Sequence, residues 1–323
     1  MLNSKLKITV ILPVYNVENY LVDCLESVLS QSYNNYELIA VNDGSTDKSK
    51  KILESYIDKF SGKLKIYNQS NSGLSCARNS GLDVASGDIV YFLDSDDWIL
   101  SNTLQDCVGF FENDDTDLVL FDGKAFCDGM SEDNLNRYNY IRSLPNSHYR
   151  DGKVFHDSIV KGTYVVQSCC YFYRRASFPN LRFIPKILHE DNYFTTCLLL
   201  GAKNIKVSQN QYFQRRIREN SITTSRLKFK HAEGYYVTTE KLLEQIKFDG
   251  VTEYSLNIYL NRLLRKGFSI EKEVKGKMSI FRRIDLYRNY SSVLNIKSSL
   301  WLFLPSAMLL VSKMKNKNRS GHG

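Results

Sequence analysis

The stretch IVYFLDSDDW, residues 89–98, runs an apolar segment straight into three carboxylates, Asp94, Asp96 and Asp97. A continuous apolar run of this length reads as a strand buried on both faces of a parallel sheet. Like charges gathered where such a strand ends ask for a cation. A hard divalent ion takes oxygen ligands and keeps waters or substrate phosphates in its shell. Two carboxylates one residue apart, on a turn at a strand end, can reach one ion, or an ion and a ribose; Asp94 and Asp96 are that pair. Asp97 alone reads as a cap for the helix that follows.

Outward from this stretch, strand and helix alternate. Strands are expected at 8–12 (ITVIL), 36–41 (YELIAV), 64–68 (LKIYN), 88–93 (DIVYFL) and 117–121 (DLVLF). Helical spacing joins Val17, Tyr20, Leu21, Leu25, Val28 and Leu29, with Asn16 placed to cap, and recurs through Ile52 to Phe60, over 74–85 and over 101–113. Five alternations at short spacing predict an α/β fold: a mostly parallel, Rossmann-like sheet with helices on both faces. Ligands of such sheets bind beyond the carboxyl ends of the strands. PVYN, NDGSTD, NQSNSG and DSDDW all fall at those ends. Past residue 122 the pattern weakens, with no clear period over 122–165. A strand within CCYFYRR (169–175), a helix over 189–202, a strand at 204–208 and a largely helical region over 226–266 are expected.

Two of these loops carry further chemistry. VNDGSTD (41–47) is good turn and capping sequence, yet Asp43 sits at the strand end, where its carboxylate can accept from a nucleobase imide N–H. NSGLSCARN (71–79) places Gly73 before a helix and Arg78 one turn inside it, and a helix start with an arginine can hold a diphosphate. Further on, Glu190 and Asp191 are neighbours on the expected helix, about 100° apart around its axis, so only one should face a ligand. Arg215, Arg216 and Arg218 form a basic cluster able to close over phosphates or to remain a solvated surface.

Composition narrows the class. Seven cysteines, an odd count without a Cys-x-x-Cys, suit a reducing compartment and argue against a zinc site. The first sixteen residues read as a strand and not as a secretory signal. Residues 262–319 hold 14 Lys+Arg against 3 Asp+Glu, a net of +11, so the rest of the chain, +8 overall, sums to −3. Such a region suits nucleic acid or an anionic membrane. In LWLFLPSAMLLVSKMKNKNR (300–319), ten of the twelve residues from Leu300 to Val311 are apolar. As a helix they would span only about 18 Å, against a hydrocarbon core of about 30 Å. The expectation is a tail lying in the membrane interface, with Lys313, Lys315, Lys317 and Arg319 against lipid phosphates, and no nucleic-acid partner.

Taken in order, LPVYN, VNDGSTD, NSGLSCARN and FLDSDD resemble the family 2 inverting glycosyltransferases of GT-A fold, closely over about residues 5–125 and more loosely, through HEDNYFT and RRIRENSIT, to about 224. The resemblance implies a GT-A domain over 1–225, its nucleotide-sugar half about 1–125 and acceptor half about 126–225, followed by a helical region over 226–323. It implies a nucleotide-sugar donor, most often a UDP-sugar, a glycan or lipid-linked saccharide acceptor, and Mn²⁺ or Mg²⁺. By the same resemblance Pro13, Tyr15 and Asn16 line the nucleotide pocket, Asp43 contacts the base and Arg78 lies near the ribose or diphosphate. Asp94 faces the ribose, Asp96 holds the metal and Asp191 is the catalytic base.

The chemistry suits that residue set. Inverting transfer is a single displacement that needs charge neutralisation on the departing diphosphate and one base opposite it. The chain lacks the Gln-x-x-Arg-Trp of processive members, having Gln211-Tyr-Phe-Gln-Arg215, so one sugar per encounter is expected. The expected setting is bacterial surface polysaccharide synthesis at the cytoplasmic face of the cell membrane. The alternatives are an inactive nucleotide-sugar binder and a phosphotransferase of the haloacid dehalogenase type.

Overall fold

The computed structural model describes residues 6–112, 115–127, 135–218, 226–245 and 250–304. Strands β1 (Ile8–Val14), β2 (Tyr36–Asp43), β3 (Leu64–Gln69) and β4 (Ile89–Phe92) lie parallel in the spatial order β3-β2-β1-β4. Helices α1 (Leu21–Leu29), α2 (Ser49–Ser55) and α3 (Leu74–Val84) connect them. Every residue of β1, β2 and β4 is buried. Covered on both faces, these strands have no polar face to show, hence their unbroken apolar sequence. Ile8, Val10, Leu12 and Val14 meet Leu21, Leu25 and Val28 of α1 in the main core. Ile11 points the other way, onto α3, where a Cβ on Gly81 would lie 2.4 Å from its Cγ2. Only glycine lets that helix sit so close.

Four further strands complete a mixed, mostly parallel sheet of eight. β6 (Leu118–Leu120) and β10 (Asn204–Val207) are parallel to each other. β9 (Tyr171–Arg174) inserts antiparallel between β4 and β6, and β8 (Ser147–Arg150) closes the edge antiparallel to β10. The order across the sheet is β3-β2-β1-β4-β9-β6-β10-β8. A separate three-stranded sheet joins β5 (Trp98–Ile99), β11 (Phe213–Arg216) and β7 (Gly123–Phe126), in the order β5-β11-β7. Helices α4 (Thr103–Glu112), α5 (Lys153–Lys161) and α6 (Asp191–Gly201) complete this part.

The chain divides into two compact units, one of residues 1–186 with 190–225, the other of 187–189 with 226–323. In the second, α7 (Phe229–Gln245), α8 (Gly250–Lys275), α9 (Ile280–Tyr290) and α10 (Ile296–Phe303) pack around Ala232, Tyr236, Leu264, Phe268, Leu286 and Leu302. Ser279 and Asn295 cap α9 and α10 through their side chains. His189 belongs here, its Nε2 3.1 Å from Nδ1 of His231 and its ring stacked on Tyr235.

Two local expectations are corrected. Asn16 does not cap α1, whose N-cap is Tyr20. A turn at Val17, whose carbonyl accepts from Tyr20 N and Leu21 N, separates Asn16 from the helix. Asn16 instead holds φ at 49° and accepts from Thr46 N at 2.8 Å, lacing the β1 loop to the β2 loop. The helix expected from His189 begins at Asp191, because His189 has φ 63°, outside helical geometry. The tail beyond Leu304 and residues 219–225, at the end of the basic cluster, lie outside the described residues.

Candidate active site

β1 is flanked by β2 on one side and β4 on the other, so the strand order reverses there and opens a crevice at the carboxyl ends of β1 and β4. Asp94 follows β4 immediately. Its Oδ1 accepts from Arg78 Nη2 at 2.8 Å and its Oδ2 from Gln167 Nε2 at 3.0 Å. The other terminal nitrogen of Arg78 donates to Glu190 Oε1 at 2.6 Å and Asp191 Oδ1 at 2.9 Å. One guanidinium, with a side chain 1% exposed, therefore joins three carboxylates from two distant segments. It lies over the Phe183 ring at 5.1 Å, which fixes its plane.

Burial opposes a charge on Arg78, but Asp191, Asp94 and Glu190 outweigh it and raise its pKa. The carboxyls answer in the opposite sense. Burial and the neighbouring Asp191 push Glu190 up to about 7, against the pull of Arg78. Burial raises Asp191 as well, with Arg78 opposing. Three acids around one cation leave an excess of negative charge, and raised pKa values are how a buried site relieves it.

A second group lies two residues along. Asp96 Oδ2 accepts from Arg218 Nε at 2.6 Å, and Asp96 O accepts from Arg216 Nε at 3.1 Å. Asp97 Oδ1 accepts from Arg216 N at 2.7 Å, and Arg216 Nη2 pairs with Asp23 Oδ2 at 2.6 Å. Asp97 is 6% exposed and fixes the end of β11; the sequence reading as a helix cap missed this. Burial, then Asp94, raises Asp96 against Arg218, and burial with Asp96 and Asp94 raises Asp97 further.

The donor set fits a hard divalent cation. Asp96 offers oxygen donors, and its charge is disfavoured by burial and by Asp94, a situation that an added cation would relieve as Arg218 does in part. Among the described residues no three His, Cys, Asp or Glu side chains converge on one ion position. The protein would then supply few ligands, leaving the rest to phosphate oxygens and water.

The other expected residues sit in the adjoining loops. Pro13 is buried within β1, and Tyr15, just past it, is 48% exposed. Asp43 is 3% exposed, with Oδ1 accepting from Ser72 N and Gln69 Nε2 and Oδ2 from Gly73 N. It braces the turn into α3, where Gly73 holds φ at 90°. Arg78, Asp94 and Asp191 converge; Asp96 adjoins them with its own arginine. Gln167 and Asp23 were not legible in advance. One lies in the poorly patterned middle of the chain, and the other looks like an ordinary helix-surface acid.

The sequence matches Glycosyl transferase family 2 over residues 9–182. Glycosyltransferase GlyA of Streptococcus pneumoniae serotype 4 is 35% identical over 227 residues, 67% of this chain and 31% of that protein, so the chain spans about a third of it. An uncharacterized glycosyltransferase of Haemophilus influenzae is 36% identical over 240 residues, 73% of this chain and 89% of its own length. Among solved structures, S. aureus TarS 1–349 in complex with UDP-GlcNAc superposes with TM-score 0.69 at 22% identity, covering 90% of this chain and 82% of that one. A Pyrobaculum calidifontis mannosyltransferase with GDP-Man and Mn²⁺ gives 0.59 at 15% identity, covering 97% and 88%.

Proposed function

This chain belongs to glycosyl transferase family 2, and from that premise we propose that it moves one sugar, with inversion, from a UDP-sugar to a hydroxyl of a glycan or lipid-linked saccharide. The carrying observation is the bridge of Arg78 between Asp94 and Asp191. It holds the donor-side acid and the base at a fixed separation beside the crevice where donors of such sheets bind. Asp191, the more exposed acid of its pair at 15% against 7% for Glu190, takes the acceptor proton. Arg78 opposes the rise that burial gives its pKa; Glu190 completes the cluster and positions the guanidinium. Asp94 faces the ribose, and Asp43 holds the loop that receives the base, with Pro13, Tyr15 and Asn16 forming the pocket wall. Mn²⁺ or Mg²⁺ at Asp96 would supply neutralising charge for the departing diphosphate. Arg218, already on Asp96, sits where it can share that task.

Residues 1–225 form the transferase domain in this reading, with 226–323 an accessory helical region. The membrane assignment draws support from α9 and α10. Ile280, Phe281, Ile284 and Tyr287 are exposed along α9, and Ile296 and Leu300 of α10 recur at four-residue spacing with its C-cap residue Leu304. Exposed Lys277, Arg288 and Lys297 accompany them. Apolar rows with cations suit an anionic bilayer surface, at the inner face of the cell membrane. No helix of the described residues is long and apolar enough to cross a membrane.

The test is a nucleotide-sugar panel assayed for nucleotide diphosphate release, with and without Mn²⁺. Release from a UDP-sugar, lost on chelation and in Asp96→Ala, is the expected result. Undiminished transfer by the chelator-stripped enzyme removes the metal role. Tight UDP-sugar binding without release, unchanged by Asp191→Asn, favours the inactive binder.

A further inference from the structure

The three-stranded sheet has one buried face and one open face. Its register sets Trp98, Gln214 and Lys124 in a single row across the strands, and strand alternation adds Phe126 and Arg216 to the same side. The opposite side carries Ile99, Phe213 and Ala125, all buried. On the open side Trp98 is 41% exposed and Leu100 43%. The Trp98 and Phe126 rings meet edge to face at 5.4 Å, and Arg216 lies over Phe126 at 4.7 Å.

This face connects two different places. At one end Arg216 is bonded to Asp96 and Asp97, so the face begins at the carboxylate cluster. At the other is a cavity of about 470 Å³, lined by Asn102, Asn210, Gln211 and Gln214 together with Lys124 and Tyr212. Four strand steps from Tyr212 to Arg216 cover about 13 Å.

We propose that this face binds the acceptor saccharide beyond the sugar that is glycosylated, with Trp98 and Phe126 as a ring platform and the carboxamide cavity as a more distant subsite. The inference rests on the acceptor's being a saccharide. Sugar hydroxyls each donate and accept, and a carboxamide offers both functions from one side chain. The apolar C–H face of a pyranose needs a flat, exposed, amphipathic surface, which Trp98 supplies. The cavity is within the usual size of ligand pockets. Leu100 and Tyr212 give it apolar wall, but the carboxamides of Asn102, Asn210, Gln211 and Gln214 disfavour a lipid chain, and Lys124, the one cation in its lining, disfavours a polyphosphate.

The test uses the full chain and Trp98→Ala, Trp98→Leu and Gln211→Ala variants on an array of immobilised, defined mono- and oligosaccharides. Donor hydrolysis and light scattering are measured alongside. The expected result is capture of particular oligosaccharides by the wild type, weakened about ten-fold by either Trp98 substitution and several-fold by Gln211→Ala. Donor hydrolysis stays unchanged. Equal capture by all variants overturns the proposal, as does a wild type that hydrolyses donor yet captures no saccharide. A Trp98 variant that only dissociates a dimer also overturns it, since the face is then a contact between copies. Failure of the underlying transferase reading looks different: no nucleotide diphosphate is released from any donor.

Discussion

Arg78 donates through Nη2 to Oδ1 of Asp94 at 2.8 Å, and this ion pair links α3 to the loop after β4 at the centre of the crevice. The same guanidinium reaches Glu190 and Asp191, which lie more than a hundred residues later. Position of the base and position of the donor-side acid therefore depend on one side chain.

Replacing Arg78 should damage stability and activity together. Arg78→Ala strands one buried and two half-buried carboxylates, and loss of one partner from a buried charge cluster costs about 3–5 kcal/mol. Arg78→Lys should recover little, because an ammonium lacks the planar fork that reaches acids on two sides. Urea melts of both variants check this; a lysine variant as stable and active as wild type would show that the bridge is dispensable.

The two neighbouring acids should separate kinetically. Asp191→Asn removes the proposed base and should lower transfer by about 10²–10⁴ with donor affinity kept. Glu190→Gln keeps a group able to bond Arg78 and should retain most of the rate. The reverse ranking, read from kcat with a saturating acceptor, would assign the base to Glu190.

The Glu190 and His189 sites should respond oppositely to pH. Glu190 is raised from 4.5 to about 7, so the folded first unit retains a proton that the unfolded chain has lost. That contribution is complete below pH about 4.5 and disappears as pH rises through about 7. His189, lowered from 6.5 to about 4 by burial, His231 and Lys266, acts in the other direction. The unfolded chain takes up its proton first, so the second unit loses stability as pH falls from 6.5 towards 4. Hydrogen exchange at pH 4.5, 6 and 7.5, resolved by segment, should show α7 protection weakest at the acid end. It should show α6 protection falling towards pH 7.5, and that loss should vanish in Glu190→Gln.

Vesicle binding should depend on the exposed rows of α9 and α10. Phe281→Glu with Ile284→Glu places two charges on a face with no core role, so the fold should persist while sedimentation with anionic vesicles falls. Deleting from residue 294 is a poorer test, because Leu302 is wholly buried in the second unit's core. Unchanged sedimentation of the double variant, with binding still abolished by salt, would assign the association to charge alone.

The succession of the first four strands along the chain, the burial of β4 and the gathering of Asp94, Asp96 and Asp97 at its end were set by sequence. They follow from local rules: apolar runs, turn residues and the chain direction of a parallel crossover. What Asp43, Arg78 and Asp97 are bonded to was not legible. Asp43 spends both oxygens on Ser72, Gly73 and Gln69, and Asp97 reaches Arg216 across 119 residues. Nor did periodicity indicate that β9 runs antiparallel beside β4. Side chains far apart in sequence meet only once the sheet has chosen its strand order. That choice is made by packing summed over the whole core and leaves no mark in any one segment.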